Sequence, residues 1–107
     1  MSRLENDYQA YLIKRIEQEF PNCVVLKNDT EYLQGVPDLL ILFEDRWAML
    51  EVKRSKGSSM RPNQEYYVTL FNRMSYSAFI YPENEEEILD DLQQAFGVFR
   101  PARATKR

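Results

Sequence analysis

The sequence contains no histidine and a single cysteine, and both shortages limit the chemistry available to the chain. Without histidine, a Ser–His or Cys–His nucleophile system, a histidine general base and an ordinary zinc site are excluded. The lone Cys23 cannot form an internal disulfide, which favours a reducing compartment. The charged side chains are the remaining candidates for catalysis.

Long apolar runs are also missing. No stretch approaches the roughly 20 apolar residues that a membrane-spanning helix needs, and the N-terminal "MSRLENDYQ" is too polar for a signal peptide. We therefore expect a soluble, cytoplasmic protein with no membrane partner. The 107 residues, 44% of them apolar, fit one small domain. Because such a chain buries a modest fraction of its surface, oligomerisation would add stability.

The charge is unevenly distributed along the chain. The net charge of −3 argues mildly against a general nucleic-acid coat. Basic residues are nevertheless concentrated in "EVKRSKGSSMR", 51–61, and in the C-terminal "RPARATKR", whereas acids cluster in "PENEEEILDD". We predict a single domain over 1–97 and a basic tail over 98–107.

Apolar periodicity predicts an α/β fold in which helices flank a small mixed sheet. The run 37–43 lacks polar alternation, so we predict that both of its faces are buried. Pro62 is placed in the first turn of its helix. The predicted elements are a helix over 3–20, strands over 23–27, 37–43 and 47–53, a helix over 62–74, a strand over 76–81 and a helix over about 83–96.

Three charged residues stand at the ends of the two most apolar strands. Strand alternation places Glu51 and Lys53 on one face, and a hairpin of 37–43 with 47–53 brings Asp38 close to them. Two carboxylates beside a lysine would suit Mg²⁺ and a phosphate substrate. The alternative is a solvated ion pair, Glu51 with Lys53, next to a turn residue, Asp38.

Two further polar residues fall on apolar helical faces. Glu5 lies in the stripe formed by Tyr8, Leu12 and Ile16, where an unpaired charge would be costly. Gln64 lies on the apolar face of the second helix. A frayed helix start could instead leave Glu5 in water, and Gln64 could be an ordinary hydrogen-bonded amide near the core.

Together these residues resemble the PD-(D/E)xK nuclease superfamily, and more narrowly its VRR-NUC and Holliday junction resolvase-like branch, of a kind found in phages. Pro37-Asp38 matches the PD motif, and Glu51-Val52-Lys53 matches ExK. Gln64 matches a glutamine after the ExK strand, and Glu5 matches an acid on the first helix. The resemblance covers residues 3 to about 96 and implies a restriction-endonuclease-like αβββαβ core.

The resemblance also implies roles. Asp38 and Glu51, with the Val52 carbonyl, would hold Mg²⁺ or Mn²⁺. Glu5 would complete the metal site, Lys53 would position or activate water, and Gln64 would orient Lys53 or contact DNA. Residues that could bind the DNA backbone are Arg54, Lys56, Ser58, Ser59 and Arg61. The two serines could equally belong to an ordinary polar loop with a helix cap.

The leading hypothesis is a metal-dependent, structure-selective DNA endonuclease, most specifically a Holliday junction resolvase. Because two symmetric cuts need two active sites, a homodimer is expected. A nicking, flap or repair nuclease acting on other DNA structures is the alternative enzyme. A catalytically silent DNA-binding module is the alternative outside enzymes. Tyr32 could stack on an unpaired base or could pack on the body of the protein.

Overall fold

A mixed four-stranded sheet with the order β1-β2-β3-β4 forms the centre of the computed structural model, which describes residues 3–98. The β1–β2 and β2–β3 pairs are antiparallel, and the β3–β4 pair is parallel. The elements are α1 Arg3–Glu19, β1 Val24–Lys27, β2 Leu39–Phe43, β3 Arg46–Val52, α2 Gln64–Met74, β4 Tyr76–Ile80, a 3-10 turn Pro82–Asn84 and α3 Glu85–Ala95. The predicted α/β class and element order are confirmed, whereas the predicted tail lies, apart from Val98, outside the described residues.

The main core lies between one face of the sheet and helices α1 and α3. Strand alternation directs Leu39 and Ile41 of β2 and Leu50 of β3 towards these helices, and all three are fully buried. The helices contribute the buried residues Leu12, Ile16, Phe20, Ile88, Leu89 and Leu92. Helix α2 packs on the opposite face, over β3 and β4, where Trp47 meets Phe71 edge to face.

The prediction that both faces of 37–43 are buried is wrong. On the face of β2 opposite the core, Leu40 is half-buried and Leu42 is 38% exposed. Their partners on β1, Leu26 and Val24, are also exposed. Helix α2 covers β3 and β4, and this leaves the β1–β2 half of that face open. A run without polar alternation therefore did not indicate burial on both sides.

The predicted start of the second helix is also wrong. Asn63 precedes the helix in a left-handed conformation, with φ 70°. A helix cannot pass through that conformation, so Pro62 lies before α2 and Gln64 is its first residue. Because α2 begins at Gln64, this side chain lies at the N-terminal end of the helix, where it reaches Glu51 of β3.

Glu85, at the start of α3, fixes helix α1. Its buried carboxylate accepts hydrogen bonds from Tyr8 Oη at 2.9 Å and Tyr11 Oη at 2.7 Å, and it pairs with Arg15. Burial and the neighbouring Glu85 raise the pKa of Tyr8. Because Glu5 lies about one turn before Tyr8, this cluster sets the position of Glu5. None of the helices within residues 3–98 has the length and apolar character needed to cross a bilayer.

Candidate active site

The hairpin register brings the predicted acidic residues together. Leu39 pairs with Leu50, so Asp38, just before β2, lies opposite Glu51 near the end of β3. The Val52 N–H donates to Asp38 Oδ2 at 2.9 Å. Asp38 is thus held against the strand that carries Glu51, as the sequence predicted.

The burial of Asp38, Glu51 and Lys53 decides between a metal-binding cluster and a solvated ion pair. Asp38 is 8% exposed, Glu51 3% and Lys53 6%. A solvated ion pair at an exposed strand end would not show such values, so that alternative is wrong. The Lys53 Nζ lies 3.9 Å from Glu51 Oε2, beyond hydrogen-bond distance.

The two carboxyl groups share a low-dielectric environment. Burial raises the pKa of Glu51 to about 9, and the negative charge of Asp38 adds to the effect. Burial also raises the pKa of Asp38, although the hydrogen bond from the Val52 N–H opposes the shift. The charge of Glu5 acts in the same raising direction on both groups. The site therefore accumulates negative charge that protons or a cation would neutralise.

Gln64 connects the acid and the lysine. Its Nε2 donates to Glu51 Oε2 at 2.9 Å, and its Oε1 accepts from Lys53 Nζ at 2.7 Å. The same oxygen accepts from the Arg61 N–H at 2.9 Å, and Lys53 Nζ also donates to the Ser59 carbonyl at 3.1 Å. Gln64 thereby fixes the positions of both charged side chains, which agrees with an orienting function.

The two oxygens of the Glu51 carboxylate differ in their hydrogen bonding. Within residues 3–98, Glu51 Oε1 and Ser77 Oγ are the buried side-chain oxygens that have no partner. An unsatisfied buried carboxylate oxygen is costly, and a divalent cation would satisfy it. No group of three or more Asp, Glu or Cys side chains in the described part of the chain is arranged to hold a metal. Mg²⁺, however, commonly binds through one or two carboxylates and keeps several waters, and Asp38 and Glu51 fit that pattern.

An open pocket of about 570 Å³ gives access to these groups. Glu5 lines this pocket, as do Asp38, Glu51, Lys53 and Gln64. All five predicted catalytic side chains therefore face one space, although they come from α1, the start of β2, the end of β3 and the start of α2. The pocket is large enough for a phosphodiester group and its water shell.

The predicted DNA-contacting residues divide into two groups. Arg54, Ser58, Ser59 and Arg61, on the 54–63 loop, line the pocket. Lys56 lies outside the pocket lining, and its N–H donates to the Glu83 carboxylate at 3.2 Å. The serines do not cap α2, because the residue at its N-cap position is Asn63.

Four lining residues were not predicted from the sequence: Pro62, just before α2, and three residues of the 28–36 loop. Thr30, Glu31 and Gln34, on the 28–36 loop, form part of the pocket wall. The loop is attached to the site by Asn28, whose Nδ2 donates to the Pro37 carbonyl at 2.9 Å and whose N–H donates to the Asp38 carbonyl at 2.9 Å. A polar loop immediately before the PD motif was the signal that could have pointed to the three loop residues.

Comparison with known proteins gives a structural likeness. No family model matches the chain, and no curated protein matches it. A solved structure described as a VRR_NUC domain superposes with a TM-score of 0.64 at 24% sequence identity, covering 87% of this chain and 97% of that one. The chain therefore has the fold of that VRR_NUC domain over most of its length.

Proposed function

We propose that this chain is a metal-dependent DNA endonuclease that hydrolyses phosphodiester bonds in branched DNA, and in its most specific form a Holliday junction resolvase. The observation that carries the proposal is the buried Glu51 carboxylate, whose Oε1 has no partner within residues 3–98, beside Asp38 and Lys53 in an open pocket. The fold shared with a VRR_NUC domain and the resemblance of Pro37-Asp38 and Glu51-Val52-Lys53 to PD…ExK support it.

Mg²⁺ or Mn²⁺ is the cofactor that fits these oxygen ligands. Asp38, Glu51 and the Val52 carbonyl would hold the ion directly. Glu5 lines the same pocket but is not grouped with the other two carboxylates, so it would complete the site through a bound water. When bound, the ion supplies a Lewis acid that polarises a phosphate and lowers the pKa of water.

Basic side chains of the protein would stabilise the reacting phosphate and bind its neighbours. The ammonium of Lys53 has three N–H donors, two of which are directed to Gln64 and Ser59. The third can donate to the attacking water or to a phosphate oxygen, where it stabilises the charge that develops during hydrolysis. Arg54 and Arg61 line the same pocket and can bind the flanking phosphates.

We further propose that the chain acts as a homodimer. Each chain supplies one set of Asp38, Glu51 and Lys53. Resolution of a four-way junction needs two symmetric cuts, and two chains related by a twofold axis would supply them.

The proposal is tested by offering the purified protein a four-way junction, a flap and a linear duplex, each with Mg²⁺. Paired symmetric nicks in the junction alone support a resolvase. Cleavage of the flap or duplex instead supports the alternative nuclease, and binding without cleavage of any substrate supports a catalytically silent DNA-binding module.

The assigned mechanism is tested by Lys53→Ala, with the exposed Lys14→Ala as matched control. We expect Lys53→Ala to lower the cleavage rate at least about a hundredfold while the affinity for DNA is kept, because the lysine acts on the reaction and other residues bind the backbone. Asp38→Asn should abolish the calorimetric signal of Mg²⁺ binding. Full activity of Lys53→Ala, or unchanged Mg²⁺ titration of Asp38→Asn, would refute the assignment.

A further inference from the structure

Tyr32 is the most exposed of the large hydrophobic side chains within residues 3–98, at 88% exposure. Its ring makes no aromatic contact, and its hydroxyl no hydrogen bond, among the described residues. The other exposed tyrosines differ in this respect: Tyr66 packs against Tyr67 at a ring distance of 5.0 Å, and Tyr11 donates to Glu85. The sequence left two possibilities for Tyr32, stacking on an unpaired base or packing on the body of the protein. The exposure of the ring excludes the second.

The backbone that carries this ring is well fixed. Asp29 Oδ1 accepts hydrogen bonds from the N–H groups of Glu31 at 2.9 Å and Tyr32 at 3.2 Å. The carbonyl of Asp29 accepts from the Leu33 N–H, and that of Leu33 accepts from the Val36 N–H. Because the loop is already ordered, placing the ring against a ligand costs little further backbone entropy.

The position of Tyr32 relates it to the candidate active site. Thr30, Glu31 and Gln34, which lie on both sides of Tyr32 in the chain, line the pocket. The 28–36 loop is also held against the start of α2, since the Asn63 Nδ2 donates to the Gln34 carbonyl at 3.4 Å. Tyr32 itself is not a lining residue, so its exposed ring lies outside the pocket, on a loop that forms part of the pocket wall.

The charges on the two loops beside the pocket indicate which part of a nucleic acid would meet Tyr32. The 54–63 loop contributes Arg54 and Arg61 to the pocket, whereas the 28–36 loop carries Asp29 and Glu31 and no basic residue. Phosphates are attracted to the first loop and repelled by the second. A base that is not paired, by contrast, presents an uncharged face that stacks on an aromatic ring.

From this arrangement we infer that Tyr32 is a specificity-determining residue that stacks on an unpaired or displaced base beside the scissile phosphate. The inference rests on the proposed function and names its substrate class as DNA with a disrupted base pair at the cleavage position. Continuous duplex offers no free base face at this point, and so it gains nothing from the ring.

The test measures dissociation constants by fluorescence anisotropy for two DNAs of equal length, one fully paired and one with a single unpaired nucleotide. Ca²⁺ replaces Mg²⁺ so that cleavage is suppressed. We expect Tyr32→Ala to weaken binding of the unpaired DNA about tenfold and to leave duplex binding within about twofold, because one stacked base contributes roughly that factor. Tyr32→Phe should retain both affinities, and Tyr66→Ala, on α2 outside the pocket lining, should change neither.

The outcomes separate this inference from the proposed function. Wild-type protein that binds neither DNA overturns both. Wild-type binding with an unchanged or equally weakened affinity of Tyr32→Ala for the two DNAs overturns the inference alone, as does a loss in Tyr32→Phe, which keeps the ring. A change in solution mass of Tyr32→Ala would assign the ring to a protein contact and also overturn the inference. Thermal melting checks the fold of each variant.

Discussion

At the scale of single residues, Glu51 combines burial with a carboxylate oxygen that has no partner among residues 3–98. Its carboxylate lies beside Asp38, and burial raises its pKa to about 9. A folded protein gains nothing from this arrangement alone, because a buried acid with an unsatisfied oxygen is costly. Such costs are typical of residues retained for chemistry.

The raised pKa predicts how metal-free stability depends on pH. Unfolded glutamate has a pKa of about 4.3, so above that pH the folded state holds a proton that the unfolded state releases. Stability must then fall as pH rises towards about 9. We expect the free energy of unfolding, measured by urea titration with a chelator, to drop by about 3 kcal/mol between pH 6 and 8.5, since below the folded pKa each pH unit costs close to about 1.4 kcal/mol.

Glu51→Gln should flatten this dependence, because the amide does not titrate. Glu17→Gln, on the exposed side of α1, is the matched control and should keep the wild-type slope. Adding Mg²⁺ to the wild-type protein should stabilise it more at pH 8.5 than at pH 6, since the cation replaces the proton. An unchanged slope in Glu51→Gln would show that other groups control the pH dependence.

Gln64 shows why a neutral residue belongs among these charges. Its amide offers a donor to Glu51 and an acceptor to Lys53 at the same time. A glutamate at this position would lack the donor when ionised, and a leucine would lack both groups. The polar residue that appeared anomalous on an apolar helical face is explained by these two bonds.

At the scale of elements, the pocket depends on the contact between the 28–36 loop and the start of α2. Gly35 has a φ of +94°, and a Cβ there would lie 2.6 Å from Asn63 Cβ and 2.8 Å from the Pro62 carbonyl oxygen. Asn63 is itself left-handed. The two segments can approach this closely only because Gly35 has no side chain.

Gly35→Ala should therefore separate the two segments. We expect a loss of about 1–3 kcal/mol in the free energy of unfolding, from backbone strain and steric overlap together. Cleavage should slow by about tenfold to a hundredfold, because Arg61 and the 28–36 loop lose their relative positions. Both are measured by urea unfolding and a cleavage assay.

Gly57 provides the matched control, since a Cβ at that position meets no atom within 4 Å. Gly57→Ala should stay within about 0.5 kcal/mol of the wild type. If Gly35→Ala were as stable and active as Gly57→Ala, the close approach would have no part in forming the pocket.

At the scale of the whole molecule, net charge is a poor guide to the partner. The acidic segment at the start of α3 is partly neutralised by the protein itself, because Arg15 pairs with the buried Glu85 and with the exposed Glu86. The arginines of the 54–63 loop, in contrast, line the pocket. A chain with a net charge of −3 can thus present basic groups where a phosphate would bind.

The proposed dimer gives the prediction that belongs to this scale. We expect light scattering to report the mass of two chains, because one chain supplies a single catalytic set. Mixtures of wild-type and Lys53→Ala chains should nick one strand of a four-way junction, since each mixed dimer has one competent site. A monomer that makes paired cuts would contradict the dimer, and an equal mixture of wild-type with Lys14→Ala chains is the control.

The sequence by itself determined the order of the elements and the convergence of Asp38, Glu51 and Lys53. Period-two alternation placed Glu51 and Lys53 on one face, and the short turn between the two strands placed Asp38 opposite them. Helical periodicity singled out Glu5 and Gln64 as polar residues on apolar faces. These inferences succeeded because each depends on local geometry, in which residue spacing dictates direction.

Only the tertiary structure decided the features that depend on distant segments. The exposure of Leu42 follows from where α2 lies across the sheet, and the start of α2 follows from the left-handed Asn63. Glu85 binds residues of α1 more than 70 positions away. The exposure of Tyr32 follows from how the 28–36 loop is held beside the pocket. Local spacing carries no information about such contacts, because chain packing in three dimensions determines which segments meet.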